Sequence, residues 1–298
     1  HRYIRRQRQM CIRDRSRNDT NRVGAPHASA EAPITQMQDE KSFDPLSFVA
    51  PTEFVELPSK GLCYPEGHPL HNEETIEIKF MTAKEEDILS SRALLKKGIA
   101  IERFIQSVIV DRSIKAKDLL VGDRNAILIA ARTSGYGNIY ETQVGCPACG
   151  EKSHFTFDLN NKKVLETENN EDVTSLGDGT FKIVMPYSKF NIVFRLLNGA
   201  DEAYLTATAS TKKKTKKGDS VLMEQYERMI VSIEGHADRS IVKRYVDNMP
   251  TLDSRHLRKC YKSVTPDVNI KENFECSSCG HEQEMEVPFG ADFFWPDR

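Results

Sequence analysis

No apolar run in this 298-residue sequence approaches the roughly 18 residues of a membrane-crossing helix, so the chain reads as soluble, without a membrane partner. Its opening residues hold no apolar stretch of signal-peptide length and are not expected to act as one. The sequence also lacks a Walker loop, a GxGxxG, an HExxH and a GxSxG, and with them the usual signatures of phosphate cradling, dinucleotide binding, zinc proteolysis and acyl transfer. "SGYGNIY" (Ser134–Tyr140) is glycine-rich, but its spacing suits a turn. The eight histidines are scattered, and the acidic "EED" (Glu85–Asp87) sits where a helix begins, so stabilising that terminus is role enough. No convergent acid–base or nucleophile set remains. The expectation is a protein that is not an enzyme, with no catalytic residues and no small-molecule substrate.

A large excess of one charge is missing too, the net value being −2, but the distribution is uneven. Residues 1–23 hold eight Arg against two Asp, which leaves an acidic remainder. An acidic body argues against general nucleic-acid binding. The basic opening starts without Met, and "RQRQMCIRDR" resembles translated adapter read-through, so this segment is read as an artefact, with a disordered or nucleic-acid-binding arm as the alternatives. Residues 1–50 are expected to form a disordered arm, since residues 20–50 show no sustained apolar period. A chain beginning near Pro51 should therefore melt at the same temperature as the full chain, and a midpoint several degrees lower would contradict this.

What is present is a mixture of helical and strand patterns, an α+β protein. Pro58 and Gly61 mark a turn within "FVELPSKG", and "ETIEIKF" (Glu74–Phe80) alternates as a half-buried strand. "TAKEEDILSSRALLKKG" has Thr82 as an N-cap and stops at Gly98 after two lysines, as a helix should. Ala100–Asp111 reads as a second helix or a helix–strand mixture, and a third helix is predicted from Asp123 onward. "STKKKTKKGDS" (Ser210–Ser220) offers nothing to pack and reads as a solvated loop.

The second half repeats the order of the first. "IVFRLLNGADEAYL" aligns with "IEIKFMTAKEEDIL" at a constant offset of 116, "YERMIVSI" with "IERFIQSV" at 125, and "TLDSRHLRKCY" with "VGDRNAILIAA" at 130. Offsets that grow only at loops are what duplication with insertion leaves. The expected organisation is one repeat over 51–160, a linker over 161–180, a second repeat over 181–290 and a tail over 291–298.

Each repeat carries a Cys-x-x-Cys-Gly: Cys146 and Cys149 in "CPACG", Cys276 and Cys279 in "CSSCG", again 130 residues apart. Four of seven cysteines in two tight pairs suit a reducing compartment and a metal. Redox activity would want a helix after the first Cys, yet alternating strand patterns follow both pairs. A CCHC knuckle built on Cys146, Cys149 and His154 would place its fourth ligand at Leu159, which cannot coordinate, and His281 stands in a different register. Neither pair completes four ligands alone. Joined on two facing hairpins they supply S4, the usual set for a closed structural zinc in a ribbon-like site, with two separate partial sites and unmetallated thiols as the alternatives. Cys63 and Cys260 stand alone and read as core fillers.

Taken together, "FVELPSKGLCYP", "IEIKFMTAKEEDIL", "AILIAARTSGYGNIYETQVGCPACG" and "FTFDL" resemble the baseplate hub family of T4-like tailed phages, over roughly residues 52–160 and more loosely over 180–290. The resemblance implies a structural or assembly component of a contractile tail, without enzymatic activity. Its partners would be other tail or baseplate hub proteins, and its place the virion baseplate, or the host cytoplasm during assembly. The competing reading is a zinc-ribbon nucleic-acid-binding protein, against which stand the acidic body and the lack of basic–aromatic interleaving near the cysteines.

Overall fold

Strand β1 (Thr52–Glu56) pairs antiparallel with β2 (Thr75–Lys79) in a register that sets Val55 opposite Ile76, both facing the core. These strands begin the computed structural model, which describes residues 50–165, 170–215, 221–287 and 293–294. The basic arm lies outside the described residues. After β2 the chain enters α1 (Ala83–Ser90) through Thr82, which forms a reciprocal capping box with Glu85. Ser91 breaks the helix, α2 (Arg92–Lys97) follows, and Gly98 closes it with its N–H on the carbonyls of Leu94 and Leu95.

Helix α3 (Ala100–Val108) buries Phe104, Ile105 and Val108. At Ile109 it gives way to an antiparallel bridge with Ile78, which resolves the ambiguity of that segment. Helix α4 (Val121–Tyr136) starts two residues before the position predicted and has Ile127, Ile129 and Ala131 almost wholly buried. Strands β3 (Ile139–Gly145) and β4 (Lys152–Asp158) pair antiparallel on either side of Cys146–Gly150.

Short strands occupy the stretch expected as a linker: β5 (Lys163–Leu165), and β6 (Val173–Ser175), which opens a four-stranded sheet. The sheet continues through β7 (Thr180–Val184) and β8 (Asn191–Arg195). It ends at β9 (Ile230–Ile233), which α5 (Gly199–Thr215) and α6 (Val221–Met229) separate from β8 in sequence. The lysine-rich run was expected to be a loop, but Ser210–Thr215 is the end of α5. Lysine is a good helix former, so a segment without apolar residues can still be helical. Residues 216–220 of that run lie outside the described residues.

Helices α7 (Arg239–Asp247) and α8 (Thr251–Val264) lead to β10 (Asp267–Asn269), which pairs with β5. The antiparallel pair β11 (Lys271–Glu275) and β12 (Glu282–Glu286) follows. Of the stretch expected as a tail, Phe293 and Phe294 are described, and both are buried. Phe293 meets the ring of Tyr140 edge-on at 5.0 Å, and Phe294 lies 4.9 Å from Phe104.

Several polar arrangements occur twice. Before α1, Lys79 pairs with Glu85 at 2.7 Å, and the Thr82 amide donates to the same carboxylate at 3.1 Å. Before α5, each of these positions recurs 116 residues on. Arg195 pairs with Asp201 at 2.7 Å, and the Asn198 amide donates to Asp201 at 3.2 Å. Asp123, third residue of α4, accepts from the Ser59 amide at 3.0 Å, the Ser59 hydroxyl at 2.7 Å and the Tyr64 hydroxyl at 2.7 Å. Asp253, third residue of α8, accepts from the Tyr187 and Ser188 amides at 2.8 and 3.1 Å. Both carboxylates have no exposed surface, and each clamps a Ser-Lys turn whose lysine, Lys60 or Lys189, has positive φ.

Glu85 gives this scaffold a pH signature. Burial would raise its carboxyl, but hydrogen bonds from Lys79, Ser107 and Thr82 prevail and hold it at about 2 against an ordinary 4.5. A depressed folded-state value stabilises above the unfolded value, and that stability is lost as pH falls from about 4.5 toward 2. Glu85→Gln should lower stability at neutral pH and flatten this part of the acid limb in melts across pH. An unchanged acid limb would contradict the role.

Candidate metal centre

Cys146 and Cys149 lie on the turn joining β3 to β4, and Cys276 and Cys279 on the turn joining β11 to β12. The two turns are built alike. The Gly150 amide donates to the Cys146 carbonyl at 2.8 Å, and the Gly280 amide to the Cys276 carbonyl at 2.9 Å. The Cys146 amide donates to the Glu151 carbonyl at 2.8 Å, and the Cys276 amide to that of His281 at 2.9 Å. Both turns need positive φ at the glycine, 74° at Gly150 and 67° at Gly280, which glycine adopts without the strain a side chain would add.

The turns meet face to face. All four sulfurs lie within 4.8 Å of one another. Cys146 Sγ is 3.7 Å from Cys279 Sγ, and Cys149 Sγ is 3.7 Å from Cys276 Sγ. Four sulfurs at about 2.3 Å from a central ion in a regular tetrahedron are separated by about 3.8 Å. The two measured edges match that spacing, and both are far longer than a disulfide. The donor set and its size therefore fit a tetrahedral thiophilic cation.

Below the sulfurs Cys146, Cys276 and Phe274 are buried, with Val144, Phe155 and Met285 packed against them. Phe155 of one hairpin meets Phe274 of the other edge-on at 5.6 Å, so an apolar contact fixes the hairpins' approach independently of any metal. Cys149 and Cys279 face solvent.

The crowded sulfurs drive their acidities apart. Cys146 is lowered to about 7, first by the Cys149 amide, with help from the Ala148 amide and neighbouring sulfurs against the effect of burial. Cys279 is pushed up to about 12: the His281 amide lowers it, but the crowded sulfurs of Cys149, Cys276 and Cys146, together with burial, outweigh that. A divalent cation at the centre favours every thiolate and releases these protons.

His154 stands beside Gln143 at 3.4 Å and His281 beside Gln283 at 3.4 Å, and neither joins the sulfur group. Cys63 is partly buried against the core, as expected of a filler. Cys260 is not simply that. Its sulfur lies 3.5 Å from His256 Nε2, and with Asp172 the three ligand atoms fall within 4.8 Å of one another. The His-x3-Cys spacing on one helix face was a signal available in the sequence, but Asp172 comes from a distant loop that no local pattern marks. The buried Asp123 and Asp253 were also missed, although their 130-residue offset is that of the cysteines.

Among known proteins, the family described as T4 bacteriophage base plate protein matches residues 51–295. Curated proteins and solved structures give no match.

Proposed function

The chain belongs to the T4 bacteriophage base plate protein family, and from that membership we propose that it is a structural or assembly component of the baseplate hub of a contractile tail, built as two copies of one unit joined through a structural zinc on Cys146, Cys149, Cys276 and Cys279. The family match over residues 51–295 is the observation that carries the baseplate role. Membership implies a non-enzymatic role and interaction with other tail proteins, and among the described residues no helix is long and apolar enough to cross a membrane.

The duplicated organisation, with repeats over 51–160 and 181–290, is supported by recurrences that core patterning alone does not require. The ion pair and capped carboxylate before α1 and α5 recur at one offset. The buried Asp of α4 and α8 and the two cysteine turns recur at another. Four sulfurs within 4.8 Å of one another, with two separations of 3.7 Å, support the zinc. With four protein ligands the ion has no open position, so its role is to hold the two hairpins together.

The nucleic-acid reading finds little support around the ribbon. From residue 271 to residue 286 the sequence has five glutamates and one lysine, a face that repels phosphate. The test is co-expression with the tail proteins encoded beside it, followed by size-exclusion chromatography. A stable complex with one of them is expected. A chain that stays alone in every combination, yet shifts nucleic acid salt-sensitively without residues 1–42, would sink this reading.

A further inference from the structure

We propose that Asp172, His256 and Cys260 form a second divalent-metal site, separate from the four-cysteine centre, that binds zinc through one sulfur, one nitrogen and one oxygen. His256 and Cys260 lie one helical turn apart on α8, which places both side chains on the same face. Their Nε2 and Sγ are 3.5 Å apart. A tetrahedral zinc with bonds of about 2.3 Å to sulfur and about 2.05 Å to nitrogen separates those atoms by about 3.5 Å. Two residues one turn apart therefore already stand at the spacing the ion requires.

Asp172 completes a face of the tetrahedron from another part of the chain, its carboxylate lying within 4.8 Å of both other ligand atoms. Its loop is anchored to α8. The Asp172 amide donates to the Asn170 side chain at 3.0 Å, and Asn170 donates to the Ser263 hydroxyl at 3.0 Å. Ser263 in turn donates to the Cys260 carbonyl at 2.9 Å. The Asp172 loop is thus tied by a hydrogen-bonded chain to the backbone of Cys260 itself.

The ligands grade from the buried Cys260 through the half-buried His256 to the exposed Asp172. Asp172, the exposed member, also lines a groove with Asn170, Glu171 and Lys259, which gives an ion a route to that carboxylate. Lys259, Lys262 and Lys271 line the same groove as Asp172 and Glu171, so a cation is held here by direct coordination and not by the net charge of the surroundings. Thiolate, imidazole and carboxylate together suit zinc better than magnesium or calcium. The aligned positions in the first half of the chain are Ala126 and Ala130, so the two donors belong to α8 and not to its counterpart helix.

The test is zinc titration of the full chain, with bound metal counted after dialysis, and cobalt substitution read by absorption. Two zincs per chain are expected, the second with a Kd tighter than about 10 µM. His256→Ala/Cys260→Ala should leave one, with the four-sulfur cobalt spectrum intact. Asp172→Asn, an exposed change that the fold tolerates, should weaken the second zinc by at least about tenfold. Cys146→Ser/Cys149→Ser should leave one zinc, now with a single-sulfur cobalt spectrum. The proposal is overturned if His256→Ala/Cys260→Ala removes no zinc, or if Asp172→Asn leaves the affinity unchanged, and Cys260 and His256 then share only a hydrogen bond. Failure of the four-cysteine reading looks different, because Cys146→Ser/Cys149→Ser would then cost no metal.

Discussion

Serine at both Cys276 and Cys279 is expected to lower the melting temperature by about 10 °C and to loosen the β3–β4 hairpin as much as the β11–β12 hairpin. A metal bridging sulfurs 127 to 133 residues apart closes a long loop in the unfolded chain. By analogy with a covalent cross-link this restraint contributes on the order of 4–5 kcal/mol, and for a chain of this size each 1 kcal/mol moves the midpoint by about 2–4 °C. The Phe155–Phe274 contact remains after the metal is lost, which limits the fall. Cys146→Ser/Cys149→Ser should give the same drop, and replacing all four cysteines should add nothing, because either pair alone already empties the site. Such non-additivity is the mark of one shared site. Drops that add would mean two independent ones.

Asp123→Ala should destabilise by about 3 kcal/mol, since it leaves three buried donors on Ser59 and Tyr64 without an acceptor. Asp253→Ala removes the acceptor from the Tyr187 and Ser188 amides and should have a similar effect. Burial pushes the Asp123 carboxyl up against those same hydrogen bonds. A neutral acceptor is therefore a fair substitute, and Asp123→Asn should cost only about 1 kcal/mol. Urea melts of the three variants provide the measurement. An Asp123→Ala chain within about 0.5 kcal/mol of the parent would show that the turn does not depend on this carboxylate.

The parts of this fold legible in the sequence are those fixed by short-range chemistry. Alternation at Ile76 and Ile78 revealed β2, and Thr82 with Glu85 and Gly98 marked where helix starts and stops. The meeting of the two CxxCG turns was readable because neither pair offers four sulfurs alone. Ser210–Thr215 misled because the absence of apolar residues does not say that a segment is unwound. The ion pairs at Glu85 and Asp201 and the clamps at Asp123 and Asp253 were not legible. Each joins residues whose meeting is decided by packing rather than by period, and an acidic residue in a first helical turn already has a sufficient local explanation. Asp172 was hidden for the same reason.

The most direct test of a single zinc held by both halves is the metal content of chains that also carry His256→Ala and Cys260→Ala, so that only the four cysteines contribute. The parent of this series should hold about one zinc per chain, and serine at either cysteine pair should bring it to zero. Two zincs in the parent, or one left after either pair is replaced, would contradict the shared site.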